Sequence, residues 1–583
     1  MGTSHRVIHI FVLLSLCGLL MLWGLGSIGL TDRDEGRNAE AGREMLETGD
    51  WITPTFNYEP RFYKPVLIYW LMSGSYYLFG VDEFAARFPS ALFGAGLILL
   101  QYWFLARWRD PHAGLLSALM LLLNLEILGL SRMALTDSVL VFFTTSAHLA
   151  YWVGLHGEGR NRYWLWWFYA GMGLATLTKG PVGFIVPLVT MSLYLSATKR
   201  WGQYWRDGHP LLGAALFALV TVPWYATMLS LHGSTYVTIA KSQTVGRFMA
   251  PMEGHGFGFL FYVPVLLLGF FPWSGLLPMA LYHCFTRWRA ARTTADASGP
   301  ALPAARRLPA EYELELFAAL WVAGAFLFFT LSSTRLQHYI APLFPGAALL
   351  TAMYWYRGLH EPQTKGIRAS IHTMMAIGYG LAVGFASLPS LYPKIAGKLT
   401  KEFPLATTID LGSGPYVISG VLLIGMALVG YFGLNESRRA GAFWAAGGSL
   451  ALVVLAVIQL VFPGLNRYFI TPPQALAYAA GVNLGQNDRL IVYGSTRPST
   501  IFYAKRKALF VPDGEEEKIG RALSQPGQTM ILLPESFESR LPPEAKQLVP
   551  ILKQHGYLLL ANRPMVSIPE SATPPPVKFI PGH

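Results

Sequence analysis

Long apolar stretches recur along the first 460 or so residues of the chain, and many are close to the length of about 20 residues that spans a bilayer core. The first, from about Val7 to Leu30, is longer than the core of a cleaved signal peptide and is interpreted as a retained helix. Twelve further stretches begin near Phe84, Ala113, Leu135, Tyr163, Pro181, Pro210, Phe257, Leu314, Gln337, Ile371, Pro415 and Gly441. The pattern predicts a polytopic α-helical membrane protein with about thirteen transmembrane helices.

Basic residues indicate on which side of the membrane each loop lies. If the N-terminus is cytoplasmic, the alternate loops that contain RWRDP, HGEGRNR, TKRWGQYWRD and NESRR are cytoplasmic too. The long arginine-rich segment from Thr286 to Leu308 falls on the same side. Because basic residues concentrate in cytoplasmic loops, this distribution supports the orientation. It predicts external loops over residues 31–83, 232–257 and 391–413 of a membrane domain that covers residues 1–465.

The pattern changes in the C-terminal part, residues 466–583. Short apolar segments, RLIVYG, KALFVP and TMILLP, alternate there with polar or helical stretches. This is typical of a small soluble α/β domain. An odd number of spans places the domain outside the membrane, on the side opposite the cytoplasm. It has no glycine-rich phosphate loop, so a structural or docking role is favoured over a catalytic one.

Composition narrows the class of protein further. The 583 residues are 53% hydrophobic and only 13% charged, whereas soluble domains contain about 25% charged residues. A net charge of +12 would suggest a nucleic-acid partner for a soluble protein. Here cytoplasmic loops and anionic lipid headgroups explain it, and no nucleic acid is expected. The two cysteines, Cys17 and Cys284, cannot build a disulfide framework or a thiolate metal site.

Acidic residues at the predicted external ends of helices are the first candidates for chemistry. Asp34 and Glu35 follow the first apolar stretch, with Arg37 close by. They fit either a helix cap with solvated ion pairs or a carboxylate pair for acid–base or amine-binding chemistry. Asp137 lies close to the hydrocarbon, where an acid is costly unless it is paired or functional. Pairing with Arg132, five residues earlier, is the simpler explanation.

Basic and aromatic residues occupy the same predicted face. Lys64 opens the amphipathic segment PVLIYWLMSGSYYLFG, which is predicted to lie along the interface. Its ammonium either snorkels to the headgroups or binds a lipid phosphate. Lys179 lies in the helix-breaking turn LTKGPVG, Arg247 lies in KSQTVGRFMAP, and His338 and Tyr339 begin another apolar stretch. Together with the acids they predict a functional site on one membrane face.

In this order the residues resemble the GT-C superfamily of polyprenyl-phosphate-sugar glycosyltransferases, which includes the protein O-mannosyltransferases. Within it the chain is most similar to the bacterial family that transfers aminoarabinose to lipid A. The DRDEGR and QTVGRF motifs, about thirteen spans and the small external C-terminal domain carry this similarity. The matching positions are Asp34, Glu35, Lys64, Pro65, Arg132, Asp137, Lys179, His338 and Tyr339.

The resemblance implies a GT-C fold and a donor of undecaprenyl phosphate that carries 4-amino-4-deoxy-L-arabinose. The implied acceptor is a lipid A phosphate on the periplasmic face of a Gram-negative inner membrane, and the product would oppose polymyxin-type cationic peptides. The implied catalytic carboxylates are Asp34, Glu35 and Asp137. The implied ligands of the donor phosphate and substrate are Arg37, Lys64, Arg132, Lys179, Arg247 and Tyr339.

A lipid monophosphate donor removes the need for the metal that nucleotide-sugar enzymes use, so no cofactor is expected. Glu83 and His338 remain a candidate pair for zinc. The expected partners are the donor lipid, lipid A and membrane lipid, with the protein as a monomer. Two alternatives stay open: a mannosyl or other hexosyl transferase acting on protein or glycan, and a lipid-sugar flippase or transporter. The flippase is less favoured, because no internal repeat is found and the unusual charges crowd one face.

Overall fold

The computed structural model describes residues 2–157, 163–252, 254, 256–297, 310–361, 366–400 and 403–564. The predicted cytoplasmic segment 286–308 lies outside them from residue 298, as does the C-terminal tail from residue 565. The helices of the N-terminal half are α1 (Gly2–Cys17), α2 (Asp34–Thr48), α3 (Leu67–Phe79), α4 (Glu83–Trp108), α5 (Pro111–Leu122), α6 (Leu125–Ser131), α7 (Asp137–His156), α8 (Trp164–Lys179), α9 (Val182–Thr198), α10 (Trp201–Asp207), α11 (Pro210–Lys241), α12 (Arg247–Met249), α13 (Tyr262–Gly269) and α14 (Leu277–Ala297). The later helices are α15 (Ala310–Leu331), α16 (Phe344–His360), α17 (Ile367–Leu399), α18 (Gly414–Gly433), α19 (Arg439–Ala456), α20 (Phe462–Leu465), α21 (Thr471–Asn483), α22 (Ser499–Ala504) and α23 (Glu517–Leu523).

Apolar helices dominate the fold and confirm a multi-pass membrane protein. Within the described ranges, eight helices are long and apolar enough to cross a bilayer, and the number rises to ten if each of two sharply bent helix pairs is one span. Three more predicted spans coincide with α8, α9 and α16, which have 16 or 17 residues. A helix of that length is about 24–26 Å long, short of a hydrocarbon core of about 30 Å. The number of thirteen spans therefore stays a prediction.

Side-chain caps show why several helices begin where they do. Asp82 accepts a hydrogen bond from Ala85 N–H at 2.7 Å at the start of α4, and Asp110 accepts one from His112 N–H at 2.8 Å at the start of α5. Asn124 caps α6 in the same way, after a 67° bend between α5 and α6. These caps satisfy N–H groups that have no partner in the first turn. The span predicted to begin near Ala113 is thus a broken helix.

The first predicted external loop folds into two helices and a small hairpin. The hairpin pairs β1 (Thr55–Phe56) with β2 (Glu59–Pro60) in antiparallel fashion. The polar helix α2 packs on the apolar helix α3, and a Cβ on Gly42 would approach Met72 Cβ to 2.9 Å. Two hydrogen bonds to α2 carbonyls, from Ser73 Oγ and the Tyr76 hydroxyl, reinforce the contact. The amphipathic segment predicted to be interfacial is therefore a helix, and its partner is α2.

The C-terminal domain is a mixed five-stranded sheet with helices, as the α/β pattern predicted. Its strands are β3 (Arg489–Tyr493), β4 (Ala508–Val511), β5 (Thr529–Pro534), β6 (Val549–Gln554) and β7 (Tyr557–Ala561), in the spatial order β4-β3-β5-β7-β6. β3 is parallel to β4 and β5, while β7 is antiparallel to β5 and β6. The three predicted apolar segments are β3, β4 and β5. Buried residues of this sheet pack in the same core as α2 and α3.

Continuous helix joins the membrane region to this domain. Residues from Glu436 to Asn483 form one helical stretch, and the boundary predicted at residues 465 and 466 lies within it. The domain also contacts the first loop directly. The Asn57 side chain exchanges two hydrogen bonds of 2.9 Å with the backbone of Ala508, and Lys507 pairs with Glu59 at 3.0 Å. The first loop is therefore covered by the C-terminal domain.

Candidate active site

Asp34 is the first residue of α2, and its carboxylate is held among cations. Its Oδ2 accepts a hydrogen bond from Lys64 Nζ at 3.3 Å, and its Oδ1 lies 3.8 Å from Arg37 Nη1. The Lys64 charge holds the pKa of Asp34 well below its usual range against the effect of burial, with Arg61 and Arg37 adding to it. The Asp34 side chain is 42% exposed. It is thus an ionised carboxylate within reach of a ligand.

Asp137 and Lys179 form a second, more buried pair. Asp137 begins α7 and Lys179 ends α8, so the two neighbouring helices place them at one end of the membrane region. Lys179 Nζ donates to Asp137 Oδ1 at 2.6 Å and lies 4.9 Å from the centre of the Tyr339 ring. Gly180 follows with φ of +74°, a backbone conformation that glycine adopts without strain. The predicted Lys-Gly-Pro turn therefore presents the ammonium to an acid and to an aromatic face.

The structure assigns Arg132 a different neighbourhood. Its guanidinium donates to the carbonyls of Leu20 at 2.9 Å and Gly24 at 3.2 Å, at the end of the first apolar stretch. The simpler explanation of Asp137, pairing with Arg132, is therefore wrong, because Lys179 is the partner. Arg132 helps to hold the first stretch against the break after α6. Its predicted substrate contact has no support in this geometry.

Electrostatic interactions join the two pairs into one cluster. Lys64 interacts with Asp34, Lys179 and Asp137. His338 interacts with both carboxylates and both lysines. The predicted site residues from the first loop, α7, α8 and the segment before α16 thus converge in space. We call Asp34, Lys64, Asp137, Lys179 and His338 the charged cluster.

Arg247 and Tyr339 lie at the edge of the charged cluster. Arg247 Nε donates to Gln243 Oε1 at 2.7 Å, and its Nη1 is 3.5 Å from the Tyr339 hydroxyl. The backbone around Arg247 is fixed to a second segment, because Thr334 N–H donates to its carbonyl at 3.1 Å. Tyr339 therefore contacts both Arg247 and Lys179. This bridge connects the predicted loop 232–257 with the charged cluster.

Glu35 lies one residue from Asp34 but is enclosed. It is 1% exposed and accepts hydrogen bonds from both Arg87 Nε and Nη2, at 2.8 and 3.0 Å. Ala134 N–H and Thr31 also donate to it, at 2.8 and 2.7 Å. Burial would raise the pKa of Glu35, but Arg87 and these bonds hold it below its usual value. The geometry supports a structural role instead of the direct catalytic role that the sequence suggested.

Two arginines near the site were missed from the sequence. Arg87 anchors Glu35 and also donates to three carbonyls of the chain before α2. Arg61 is 5% exposed, donates to Asn38 Oδ1 and the Tyr69 hydroxyl, and acts on Asp34. Arg61 stands three residues before Lys64 in RFYKP, which was an available signal. Arg87 lies inside a predicted span, and its one sequence signal was that it is a charged residue in an apolar stretch.

The two candidate zinc ligands have different surroundings. Glu83 accepts a hydrogen bond from the Tyr503 hydroxyl of α22 at 2.6 Å, whereas His338 belongs to the charged cluster. Among the described residues, no group of three or more His, Cys, Asp and Glu side chains is arranged to hold a metal ion. The pair therefore gains no further ligand from the structure. The metal site at Glu83 and His338 stays a prediction.

A polytopic helical fold with carboxylates and cations gathered at one end of its spans is characteristic of glycosyltransferases that use polyprenyl-phosphate sugars. The sequence model of the dolichyl-phosphate-mannose-protein mannosyltransferase family matches residues 11–233. An undecaprenyl phosphate-α-4-amino-4-deoxy-L-arabinose arabinosyl transferase of Pseudomonas aeruginosa strain UCBPP-PA14 is 31% identical over 455 residues, 78% of this chain and 75% of that protein. The protein of the same name from Edwardsiella ictaluri is 28% identical over 468 residues, 79% of this chain and 78% of that one.

The fold agrees with these relatives. The crystal structure of ArnT from Cupriavidus metallidurans bound to undecaprenyl phosphate superposes with a TM-score of 0.72 at 20% identity, covering 97% of this chain and 99% of that one. The chain belongs to the family of undecaprenyl phosphate-α-4-amino-4-deoxy-L-arabinose arabinosyl transferases. It is a glycosyltransferase, as the resemblance to the GT-C superfamily predicted.

Proposed function

We propose that the protein transfers 4-amino-4-deoxy-L-arabinose from undecaprenyl phosphate to a phosphate of lipid A. The named relatives support the donor, and the charged cluster supports the chemistry at residues of this chain. The proposed location is the periplasmic face of a Gram-negative inner membrane, because the predicted orientation places Asp34 and Lys179 on the external side. A cationic sugar on lipid A would weaken the binding of polymyxin-type peptides.

In the proposed reaction the bond from the sugar's anomeric carbon to the carrier phosphate breaks, and negative charge develops on that phosphate. Lys64, Lys179 and Arg247 are the proposed cations that stabilise it. Burial lowers the pKa of Lys64, whereas Asp34 opposes this effect. A bound phosphate would add a second anion beside Lys64 and favour its ammonium form. Donor binding would therefore strengthen the positive charge at the place where the leaving group needs it.

The ion pair of Asp34 with Lys64, 3.3 Å apart, is the observation that favours a phosphate acceptor. A hydroxyl acceptor needs a base that removes its proton, and a base works best when its pKa lies near the working pH. The charge of Lys64 keeps Asp34 ionised far below that pH. A phosphate acceptor is already an anion and needs no base. Asp34 would then stabilise the positive charge that develops at the anomeric carbon, while an oxygen of the acceptor phosphate forms the new bond.

A mannosyl or other hexosyl transferase acting on protein or glycan is the second candidate. The mannosyltransferase family model covers residues 11–233, a range that contains Asp34, Lys64, Asp137 and Lys179. The same cluster would serve a polyprenyl-phosphate hexose, because the leaving group is the same phosphate. The two functions differ in the acceptor, and the acceptor is what the experiment must identify.

Mass spectrometry of lipid A tests the proposal directly. A transferase-null strain that makes the donor would express the chain, its Asp34→Asn variant, or an Asp410→Asn control at an exposed position in the predicted loop 391–413. Aminoarabinose on lipid A is expected with the unaltered chain and with Asp410→Asn, and its loss is expected with Asp34→Asn. Unmodified lipid A together with hexose on protein or glycan would favour the second candidate. Full transfer by Asp34→Asn would remove Asp34 from the proposed role.

A further inference from the structure

A buried serine of the C-terminal domain contacts the chain just before helix α2. Ser499 begins α22, is completely buried, and donates twice to Asp32. Its backbone N–H donates to Asp32 Oδ1 at 2.8 Å, and its Oγ donates to Asp32 Oδ2 at 2.9 Å. Asp32 precedes Asp34 by only two residues. Both oxygens of one carboxylate are therefore held by the C-terminal domain beside the start of α2.

Helix α2 also meets Ser499 at van der Waals contact. A Cβ placed on Gly36 would lie 2.6 Å from Ser499 N and 2.9 Å from Ser499 Cα. These are backbone atoms, so they cannot move aside as a flexible side chain does. Glycine at this position allows the first turn of α2 to rest directly on the domain. Asp34 lies between the two contacts, with Asp32 on one side and Gly36 on the other.

Neighbouring bonds fix the segment that leads into this turn. Gln474 Nε2 of α21 donates to the Leu30 carbonyl at 2.6 Å and to Ser499 Oγ at 3.2 Å. The Tyr503 hydroxyl accepts from Leu30 N–H at 3.0 Å and donates to Glu83 at 2.6 Å. The C-terminal domain thus holds the Leu30 backbone and the Asp32 side chain at several points. A buried, fully bonded network of this kind rigidifies what it contacts.

We infer that Ser499 is a positioning residue for the transfer reaction: through Asp32 and Gly36 it fixes the first turn of α2 and thereby the place of Asp34. This inference rests on the proposed function, in which Asp34 acts on the reacting sugar. It assigns the C-terminal domain a task in catalysis without contact to substrate. Lys64 and Arg247 lie on other segments, so binding of the donor phosphate should depend little on Ser499.

The test compares Ser499→Ala and Asp32→Asn with a matched Ser524→Ala control, an exposed serine of the same domain. Full-length protein in lipid nanodiscs is assayed with purified donor lipid and lipid A. Ser499→Ala removes the Oγ bond to Asp32 and the bond from Gln474, and keeps the bond from the Ser499 backbone N–H to Asp32. Because a shift of 1 Å in a reacting group can lower the rate by on the order of 100-fold, we expect kcat to fall about 10-fold. The KM for the donor should remain that of the unaltered protein. The melting temperature should fall by a few degrees, because a buried hydrogen bond is lost, so kcat is expressed per folded protein.

The double variant provides the decisive readout. If Ser499 and Asp32 act through one contact, the double variant should be no slower than the slower single variant. An unchanged kcat in Ser499→Ala, a fall in kcat matched by an equal loss of folded protein, or multiplying losses in the double variant would overturn the inference. Failure of the unaltered chain to modify lipid A would overturn the proposed function and this inference together. Activity of the unaltered chain with normal Ser499→Ala kinetics would overturn the inference alone.

Discussion

Variants of the buried pair of Asp137 and Lys179 are predicted to change stability and activity independently of each other. Asp137 is 1% exposed and accepts from Lys179 Nζ at 2.6 Å, so Lys179→Met leaves a buried carboxylate without its ammonium. Removal of one partner from a buried pair costs about 3–5 kcal/mol. Asp137→Asn should cost less. The remaining ammonium is 15% exposed and keeps its contact with Tyr339, which is worth about 0.5–2 kcal/mol.

The double variant Lys179→Met/Asp137→Asn removes both charges and should be more stable than Lys179→Met alone. Replacing both members of a buried pair by neutral groups of similar volume is often nearly neutral for stability. Transfer activity should be lost in all three variants, because Lys179 is proposed to stabilise the carrier phosphate and Asp137 orients its ammonium. The double variant would therefore be a stable protein with an inactive site.

Thermal unfolding followed by tryptophan fluorescence in one detergent measures the stability, and mass spectrometry of lipid A measures transfer. Glu515→Gln/Lys518→Met, which removes an exposed pair of the C-terminal domain, is the control and should change neither quantity appreciably. Recovery of both stability and activity in the double variant would show that the pair is structural only. An unaltered melting temperature for Lys179→Met would refute the reasoning about the buried carboxylate.

Three further predictions concern the surroundings of the charged cluster. Arg37→Gln should move the acidic limb of the pH profile of kcat to higher pH. The reason is that Lys64 and, more weakly, Arg37 hold the pKa of Asp34 below its usual range. A pH–rate profile that keeps the original limb would contradict this. Glu35→Gln should lower stability by about 3 kcal/mol, since it leaves Arg87 buried beside a neutral amide, and thermal unfolding measures the loss. Treatment with EDTA should leave transfer intact, because side-chain cations are proposed to neutralise the phosphate. Loss of activity on chelation and its return with zinc would count against that proposal.

Local sequence patterns were sufficient to predict those elements whose structure depends on residues close together in sequence. The turn at Lys179 needed only Lys-Gly-Pro between two apolar runs, and Gly180 takes the positive φ that such a turn uses. The short apolar segment TMILLP predicted β5, which covers Thr529–Pro534. Asp34, Asp137 and Lys179 of the charged cluster were also recognisable, because each is a charge at the end of an apolar stretch. Such charges are rare unless they are paired or functional.

Contacts between distant segments could not be derived in this way. Helix α2 is polar along its length, so its pattern does not indicate a buried face, yet Glu35 and Glu40 are completely enclosed. Its burial depends on Arg87, on Arg43 and on the C-terminal domain, which lies more than 400 residues away in sequence. The partner of Asp137 was misassigned for the same reason. Arg132 is near in sequence, but the helix break after α6 turns it towards the first apolar stretch.

The charges around Asp34 explain how two lipid phosphates can approach the same site. Asp34 and Asp137 contribute two negative charges, and four cations pair with them or act on them: Arg37, Arg61, Lys64 and Lys179. Two positive charges therefore remain in excess. In the proposed reaction a carrier phosphate and an acceptor phosphate must approach the same sugar, and two anions repel each other strongly where water is scarce. The excess positive charge offsets that repulsion. A neutral hydroxyl acceptor brings no second anion, so most of the excess positive charge would stay without a counter-charge. Removing a cation should therefore impair transfer to a phosphate more than transfer to a hydroxyl.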